Sequence, residues 1–294
     1  MMDSDPIYEF YQRIIGTCQT PGGGRVRTWG CWLVERLMRL AVIVQSRRLA
    51  VRFPRRAVGS SWWIARWRFE FLMGWNERES VACCQKLIKP GMTVVDIGAH
   101  LGYYTRLFSQ LVGSTGKVLA FEPCPENYPL LKHNLSARQY SNVQLFDCAI
   151  SDQSGRVPLY LSPGHSNHSL LPGYTETQGI LEVESISLDA FLSQQGIQRL
   201  DFIKVDVEGA EPLVLAGMRQ TVAHSPQLAM LIECNPQALR CGGVAPEELI
   251  LRLRQMGFAV QAIRPDGTLA QVSDRAGHAD EVVNLLCRVI AQPA

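Results

Sequence analysis

The sequence has no CxxC pair, no histidine spacing of the kind that holds zinc and no low-complexity tract, and each absence closes off a class of protein. Its nine cysteines, at 18, 31, 83, 84, 124, 148, 234, 241 and 287, are scattered and odd in number. That spacing argues against a zinc ribbon and against a disulfide framework. Most sit in apolar runs such as Val81–Ile88 and Val282–Ile290, where they read as small buried hydrophobes of a reducing compartment. Long apolar runs are also lacking: Leu40–Ser46 falls far short of the ~20 residues a membrane-spanning helix needs. The acidic start MMDSDP leads into no apolar core, so no secretory leader is expected and a cytoplasmic protein is. Only 19% of residues are charged and 47% are hydrophobic, enough for a large core and against global disorder.

Lysine is absent from the first 75 residues, which hold twelve arginines against five acids, a balance of +7. The remainder holds seventeen basic and twenty-two acidic residues, a balance of −5. All six tryptophans (29, 32, 62, 63, 67, 75) also fall in the first part. Two regions are therefore expected: residues 1–75, an Arg/Trp-rich helical extension, and residues 76–294, the functional domain. Cys31–Val44 has a broad apolar helical face, and Trp62–Trp75 interleaves tryptophan with Arg66 and Arg68. The ordinary reading is a helical cap on the main domain with solvated arginines. The sharper one is a peripheral contact at the inner membrane face, with arginines for anionic head groups and tryptophans at the interface. No RNA-binding signature surrounds this region, and an acidic main domain lacks the basic track a phosphate backbone needs, so nucleic acid is not an expected partner.

From Pro90 the text alternates strand-like and helical periods. Strands are expected at Thr93–Ile97, Lys117–Phe121, Val143–Cys148, Asp201–Val207, Gln227–Glu233, Ala259–Ile263 and Glu281–Ile290. Helices are expected at Tyr103–Val112, Pro125–Ala137, Leu188–Gln195, Ala210–Arg219 and Pro246–Met256. Two further strand-like runs, Arg156–Leu161 and Leu181–Ile186, flank a polar stretch rich in Gly, Ser and His. The order predicts an α/β fold with a doubly wound, mostly parallel seven-stranded sheet of Rossmann-like type.

The stretch Val94–Thr105, VVDIGAHLGYYT, is a strand ending in Asp-x-Gly-x-x-x-Gly and opening a helix. Gly98 permits a sharp turn and close approach, and the helix offers its N-terminal N–H groups at the sheet edge where such folds bind ligands. A dinucleotide site wants glycine where Asp96 stands. A carboxylate sits badly beside a pyrophosphate but suits a ligand carrying an ammonium and a sulfonium, so charge favours S-adenosylmethionine over NAD. About twenty residues on, the second strand ends at Glu122-Pro123, where an acid accepts ribose hydroxyls. The third would bring Asp147 and Ala149 near the adenine.

These residues resemble the FkbM family of methyltransferases: VVDIGAHLGYYT, AFEPCPENYPLLKHNL, SLDAFL and above all DFIKVDVEGAEPLVLAG, over roughly Lys89 to Val260. The resemblance implies a class I methyltransferase fold, S-adenosylmethionine as cofactor and O-methylation of natural products or sugars. It implies that Asp96, Gly98 and Gly102 line the methionine end and that Glu122 binds the ribose; Ala99, His100, Tyr103 and Pro123 beside them are also expected among the cofactor-binding residues. Two residues depart from the family pattern: His100 stands where Asn is usual, and Cys124 replaces a polar residue.

Methyl transfer from a sulfonium is an in-line displacement, so alignment dominates, and an alcohol acceptor must also lose its proton. Asp206 and Glu208, in KVDVEGAE at the end of the fourth strand, are the expected catalytic acids, serving as base, hydroxyl binder or metal ligand. Glu233 would complete an acidic pocket, and with only carboxylates on offer Mg2+ would be the natural ion. Glu211 is expected to cap the next helix. The polar stretch Ser162–Thr177, with His165 and His168, is a candidate substrate lid, and His168 is the second choice of base. The expectation is a methyltransferase acting on a hydroxylated small molecule such as a sugar, glycolipid or secondary metabolite. The alternative is a catalytically weak methyltransferase-fold module that docks through its N-terminal region. Oligomeric state is not legible.

Overall fold

The computed structural model describes residues 6–19, 25–54, 61–136, 139–164, 166–272 and 281–290; His165 and His278 lie outside them. The chain divides into two compact units, Met1–Arg78 and Glu79–Ala294.

The first unit is helical: α1 (Pro6–Gln19), α2 (Arg25–Arg48) and α3 (Ser61–Met73). Tyr11 and Ile15 of α1, Met38 of α2 and Ala65 of α3 form its buried centre, with Tyr8, Val34, Phe69 and Trp75 around them. Glu70 takes two hydrogen bonds there, from the Tyr11 hydroxyl at 3.0 Å and from Arg66 Nε at 2.9 Å. Arg68 donates to the carbonyl of Pro54 at 2.7 Å. Arg66 and Arg68 thus tie the bundle together and are not presented as a free basic surface. No helix of the described residues is long and apolar enough to cross a membrane.

The second unit runs α4 (Arg78–Leu87), β1 (Thr93–Ile97), α5 (Tyr103–Val112), β2 (Lys117–Phe121), α6 (Tyr128–Asn134), β3 (Val143–Phe146), β4 (Ala149–Ser151), β5 (Gly155–Leu161) and β6 (Gly179–Ser187). It continues with α7 (Leu188–Gln195), β7 (Phe202–Val205), α8 (Glu211–Ala216), α9 (Arg219–His224), β8 (Ala229–Cys234), α10 (Pro236–Cys241), α11 (Pro246–Gln255), β9 (Phe258–Ile263), β10 (Leu269–Gln271) and β11 (Val283–Val289). The large sheet has the order β10-β9-β11-β8-β7-β1-β2-β3. From β3 across to β8 the neighbours are parallel, and β11 and β10 run antiparallel to theirs.

Strand alternation builds the two layers. Val94 and Phe202 face one side, where Cys84 and Ile88 and the α5 residues Tyr104, Phe108 and Val112 cover them. Val95, Ile97, Ile203 and Val205 face the other, under Phe191 of α7, Val214 of α8 and Leu253 of α11. The central strands β1 and β7 are buried on both faces, as a covered parallel sheet requires.

Three expectations are corrected. The large sheet has eight strands, not seven, because Leu269–Gln271 folds back on β9 after a Pro-Asp-Gly turn, too short a run to stand out in the text. The third strand ends at Phe146; the chain then leaves the sheet, and Ala149–Ser151 joins a separate three-stranded sheet of order β4-β6-β5. The expected helix Ala210–Arg219 stops at Ala216, and a second helix, Arg219–His224, follows Gly217-Met218. A Cβ on Gly217 would lie 2.0 Å from the carbonyl oxygen of Ser151, so the helix stops where it meets β4.

Candidate active site

The chain leaves β1 toward β2 and β3 on one side, then returns to place β7 and β8 on the other. The topological switch point therefore lies between the carboxyl ends of β1 and β7, the position at which open α/β sheets take their ligands. Register pairs Asp96 with Lys204 and Ile97 with Val205 at that edge. Alternation puts Asp96, Lys204 and Asp206 on the face covered by α5.

Asp96 is fully buried, and its Oδ2 accepts a 2.6 Å hydrogen bond from the hydroxyl of Thr105. Its Oδ1 has no hydrogen-bond donor. Burial raises its pKa and the neighbouring Lys204 ammonium opposes the rise. Lys204 is itself 4% exposed, donates to Asp206 Oδ2 at 2.8 Å and lies 4.9 Å from the Tyr104 ring centre. Tyr103 is half-buried at the start of α5, its ring against that of Tyr104.

Gly98 sits at φ +81°, and a Cβ there would lie 1.9 Å from the carbonyl oxygen of Asp206. The glycine serves contact between the two ligand-edge loops: it lets the β1–α5 turn press against the β7–α8 loop. Ala99 is buried, and its N–H donates to the carbonyl of Phe121. His100 has φ +51°, the left-handed region in which Asn, Asp and His are the best-tolerated side chains after glycine. That conformation suits the histidine here and would suit asparagine as well. Gly102 follows at the N-terminus of α5, packed beneath Leu131 of α6 and Leu135 just after it.

Glu122, 6% exposed, joins the loops after β1 and β2: Oε2 accepts from the His100 N–H at 2.8 Å and Oε1 from the Cys124 N–H at 3.0 Å. Asn127 reaches Oε1 at 3.5 Å. Burial pushes its carboxyl up to about 7, against the pull of those donors. A carboxylate has about four lone-pair positions, so accepting these bonds leaves capacity for a ligand. Pro123 lies half-buried between Glu122 and Cys124. The Cys124 thiol is fully buried with Ala149, Leu159 and Val183, and burial raises it to about 11. Ala149 is thus part of the core beneath the small sheet, whereas Asp147 stands exposed just beyond β3.

Beyond β7 the acids converge. One carboxylate oxygen from each of Asp206, Glu208 and Glu233 lies within 4.8 Å of the others. Glu208 is held at φ +53°, and its Oε2 has no donor. Burial, then the charges of Asp206 and Glu211, raise its pKa to about 9. Glu211 is fully buried, its Oε1 accepting from the N–H groups of Val207 and Gly209 at 3.1 and 3.3 Å, and burial raises it to about 7. It clamps the loop that carries Glu208. Three oxygens at this spacing suit one hard cation, and a proton on Glu208 relieves the same repulsion.

The segment between β5 and β6 is fastened over this cluster. Ser169 Oγ donates to the carbonyl of Glu208 at 2.8 Å, and Asn235 Nδ2 donates to the Tyr174 hydroxyl at 2.8 Å. Asn167 donates to the same hydroxyl at 3.3 Å. Burial first, then Glu208, raise the Tyr174 pKa. His168 is occupied differently: its Nδ1 accepts from the Ser162 N–H at 3.1 Å, with the Ser162 hydroxyl at 3.3 Å, and burial lowers its pKa. The neutral ring's acceptor nitrogen is spent on folding its own loop, which leaves it a poor base. Asn235 and Tyr174 were missed in the sequence. Asn-Pro opening a helix was the signal for Asn235, which caps α10 by accepting from the Ala238 N–H. Tyr174 carries no comparable signal.

Residues 96–260 match the family model described as the methyltransferase FkbM domain. The 2-O-methyltransferase NoeI of Sinorhizobium fredii (strain NBRC 101917 / NGR234) is 30% identical over 47% of this chain and 62% of its own length. Methyltransferase sdnD of Sordaria araneosa is 32% identical over 42% of this chain and 60% of its own. The 31-O-demethyl-FK506 methyltransferase FkbM of Streptomyces tacrolimicus is 28% identical over 60% and 75%. The chain thus spans less than two thirds of the length of the first two relatives.

Proposed function

We propose that this chain, which belongs to the FkbM methyltransferase family, transfers a methyl group from S-adenosylmethionine to a hydroxyl oxygen of a small molecule such as a sugar, glycolipid or secondary metabolite. The observation that carries the reading is the set of acids at the switch point, one side suited to a cationic cofactor and the other to an acceptor hydroxyl. The bound cofactor would supply an electrophilic methyl carbon on a sulfonium. Asp96, with one oxygen lacking a donor, answers the amino group at its methionine end, and Glu122 answers the ribose hydroxyls. Lys204 keeps Asp96 and Asp206 from repelling one another.

On the acceptor side, Asp206, Glu208 and Glu233 offer oxygens close enough to bind neighbouring hydroxyls and to take the proton of the one that reacts. Ser169 and Tyr174 hold the overlying segment in place, which positions the acceptor and limits water. The relatives' printed names direct methyl transfer to oxygen in two cases, which supports oxygen as the acceptor atom here.

The test uses methyl-labelled S-adenosylmethionine with a panel of hydroxylated and amine acceptors, with and without Mg2+ and a chelator. The expected result is label in a hydroxylated acceptor, reduced at least ~100-fold by Asp206→Asn with Glu208→Gln. Label appearing only in amine acceptors, or equal turnover by the variant, would overturn it.

A further inference from the structure

The helix α2 is apolar on two sides. Its inner side places Met38 in the bundle core with Tyr11 and Ile15. Its outer side carries Leu33, Leu37, Leu40 and Val44, between 53% and 58% exposed. Their spacing of four, three and four residues makes one straight stripe, about 17 Å long at 1.5 Å per residue. Trp32 and Ile43 widen it, at 49% and 50% exposure. Arg36, Arg39, Arg47 and Arg48 are exposed on the same outward side, with Arg36 stacked 4.7 Å over Trp32 and Arg39 paired to Glu35. A helix face that only met water would not spend six large apolar side chains there.

We propose that this stripe docks the chain on an anionic lipid surface, with α2 lying in the interface plane. The charge decides the occupant. A second copy of the chain would bring arginine-flanked stripes together, each within a region of net charge +7. A negatively charged head-group layer neutralises those arginines while the stripe enters the acyl boundary, and their long stems reach back to the head groups. Spanning is not the mode: arginines recur along the helix, and no helix of the described residues meets the length and apolarity required. The proposal stands independently of methyl transfer, although a membrane-bound enzyme would meet amphiphilic acceptors first.

The experiment is vesicle co-sedimentation of the full chain at low salt. Phosphatidylcholine vesicles are compared with vesicles that also contain phosphatidylglycerol. Three engaged arginines predict about 100-fold tighter partitioning to the anionic vesicles. Leu37→Glu with Leu40→Glu should abolish sedimentation with both, and because these side chains are exposed its thermal melt should match the wild type. Arg36→Gln with Arg47→Gln should remove most of the preference for anionic lipid and keep weak binding to either. Wild type that stays in the supernatant with both vesicles overturns the proposal. So does a wild-type dimer that the leucine variant dissociates without any change in sedimentation.

Discussion

Glu208 offers a perturbation whose sign and size follow from its surroundings. Its carboxyl is raised from an ordinary 4.5 to about 9 by burial and by the charges of Asp206 and Glu211. In the unfolded chain it would ionise near its ordinary value. Between those limits the native state holds a proton that the unfolded state has released, so stability falls as pH rises, and the loss ends above about 9. The ceiling is about 1.4 kcal/mol per pH unit. Glu208→Gln keeps the amide within reach of Asn235 but cannot ionise, so the variant escapes this loss. Denaturant melts of both proteins from about pH 6 to about pH 8 should show the variant gaining on wild type by roughly 1 kcal/mol per unit. In thermal melts that is roughly 2–4 °C per unit for a domain of this size. A difference that stays constant with pH would refute the assignment. Turnover should move oppositely: if Glu208 takes the acceptor proton, wild-type kcat rises about tenfold per pH unit below its pKa, and the variant's profile is flat.

Other consequences are quicker to check. Gly98→Ala would drive a Cβ to 1.9 Å from a backbone oxygen that cannot move without its loop, so a loss of at least ~3 kcal/mol in a denaturant melt is expected. At His100 the φ of +51° should let Asn substitute within about 0.5 kcal/mol, while Val should cost about 1–2 kcal/mol, again read by melts. Tyr174→Phe removes the hydroxyl that Asn167 and Asn235 donate to. Acceptor KM should rise by ~10-fold with cofactor Kd unchanged, since one or two net hydrogen bonds are lost from the overlying segment.

The core strands were legible because a covered parallel strand is an apolar run with a sharp end, and Thr93–Ile97 and Lys117–Phe121 match the structure residue for residue. Short elements were not: β4 and β10 have three residues each, below any period that a text can display. The Asp-x-Gly turn and the acids of KVDVEGAE were readable because they stand where strands stop. The role of Gly98 was not, since its contact with Asp206 joins residues far apart in sequence. Asp206, Glu208 and Glu233 were each visible singly, but their mutual distance depends on β7 lying beside β8. His168 looked like a base in a polar loop; its spent nitrogen is a matter of tautomer and local turn, which sequence does not carry.

Calorimetric titration with S-adenosylmethionine and S-adenosylhomocysteine, comparing wild type with Asp96→Asn plus Glu122→Gln, tests the cofactor site at the β1 edge. Wild type should bind at micromolar concentration, and binding should weaken at least ~100-fold in the variant while its fold is retained. A well-folded wild type that binds neither compound, or a variant that binds both as tightly, would contradict it.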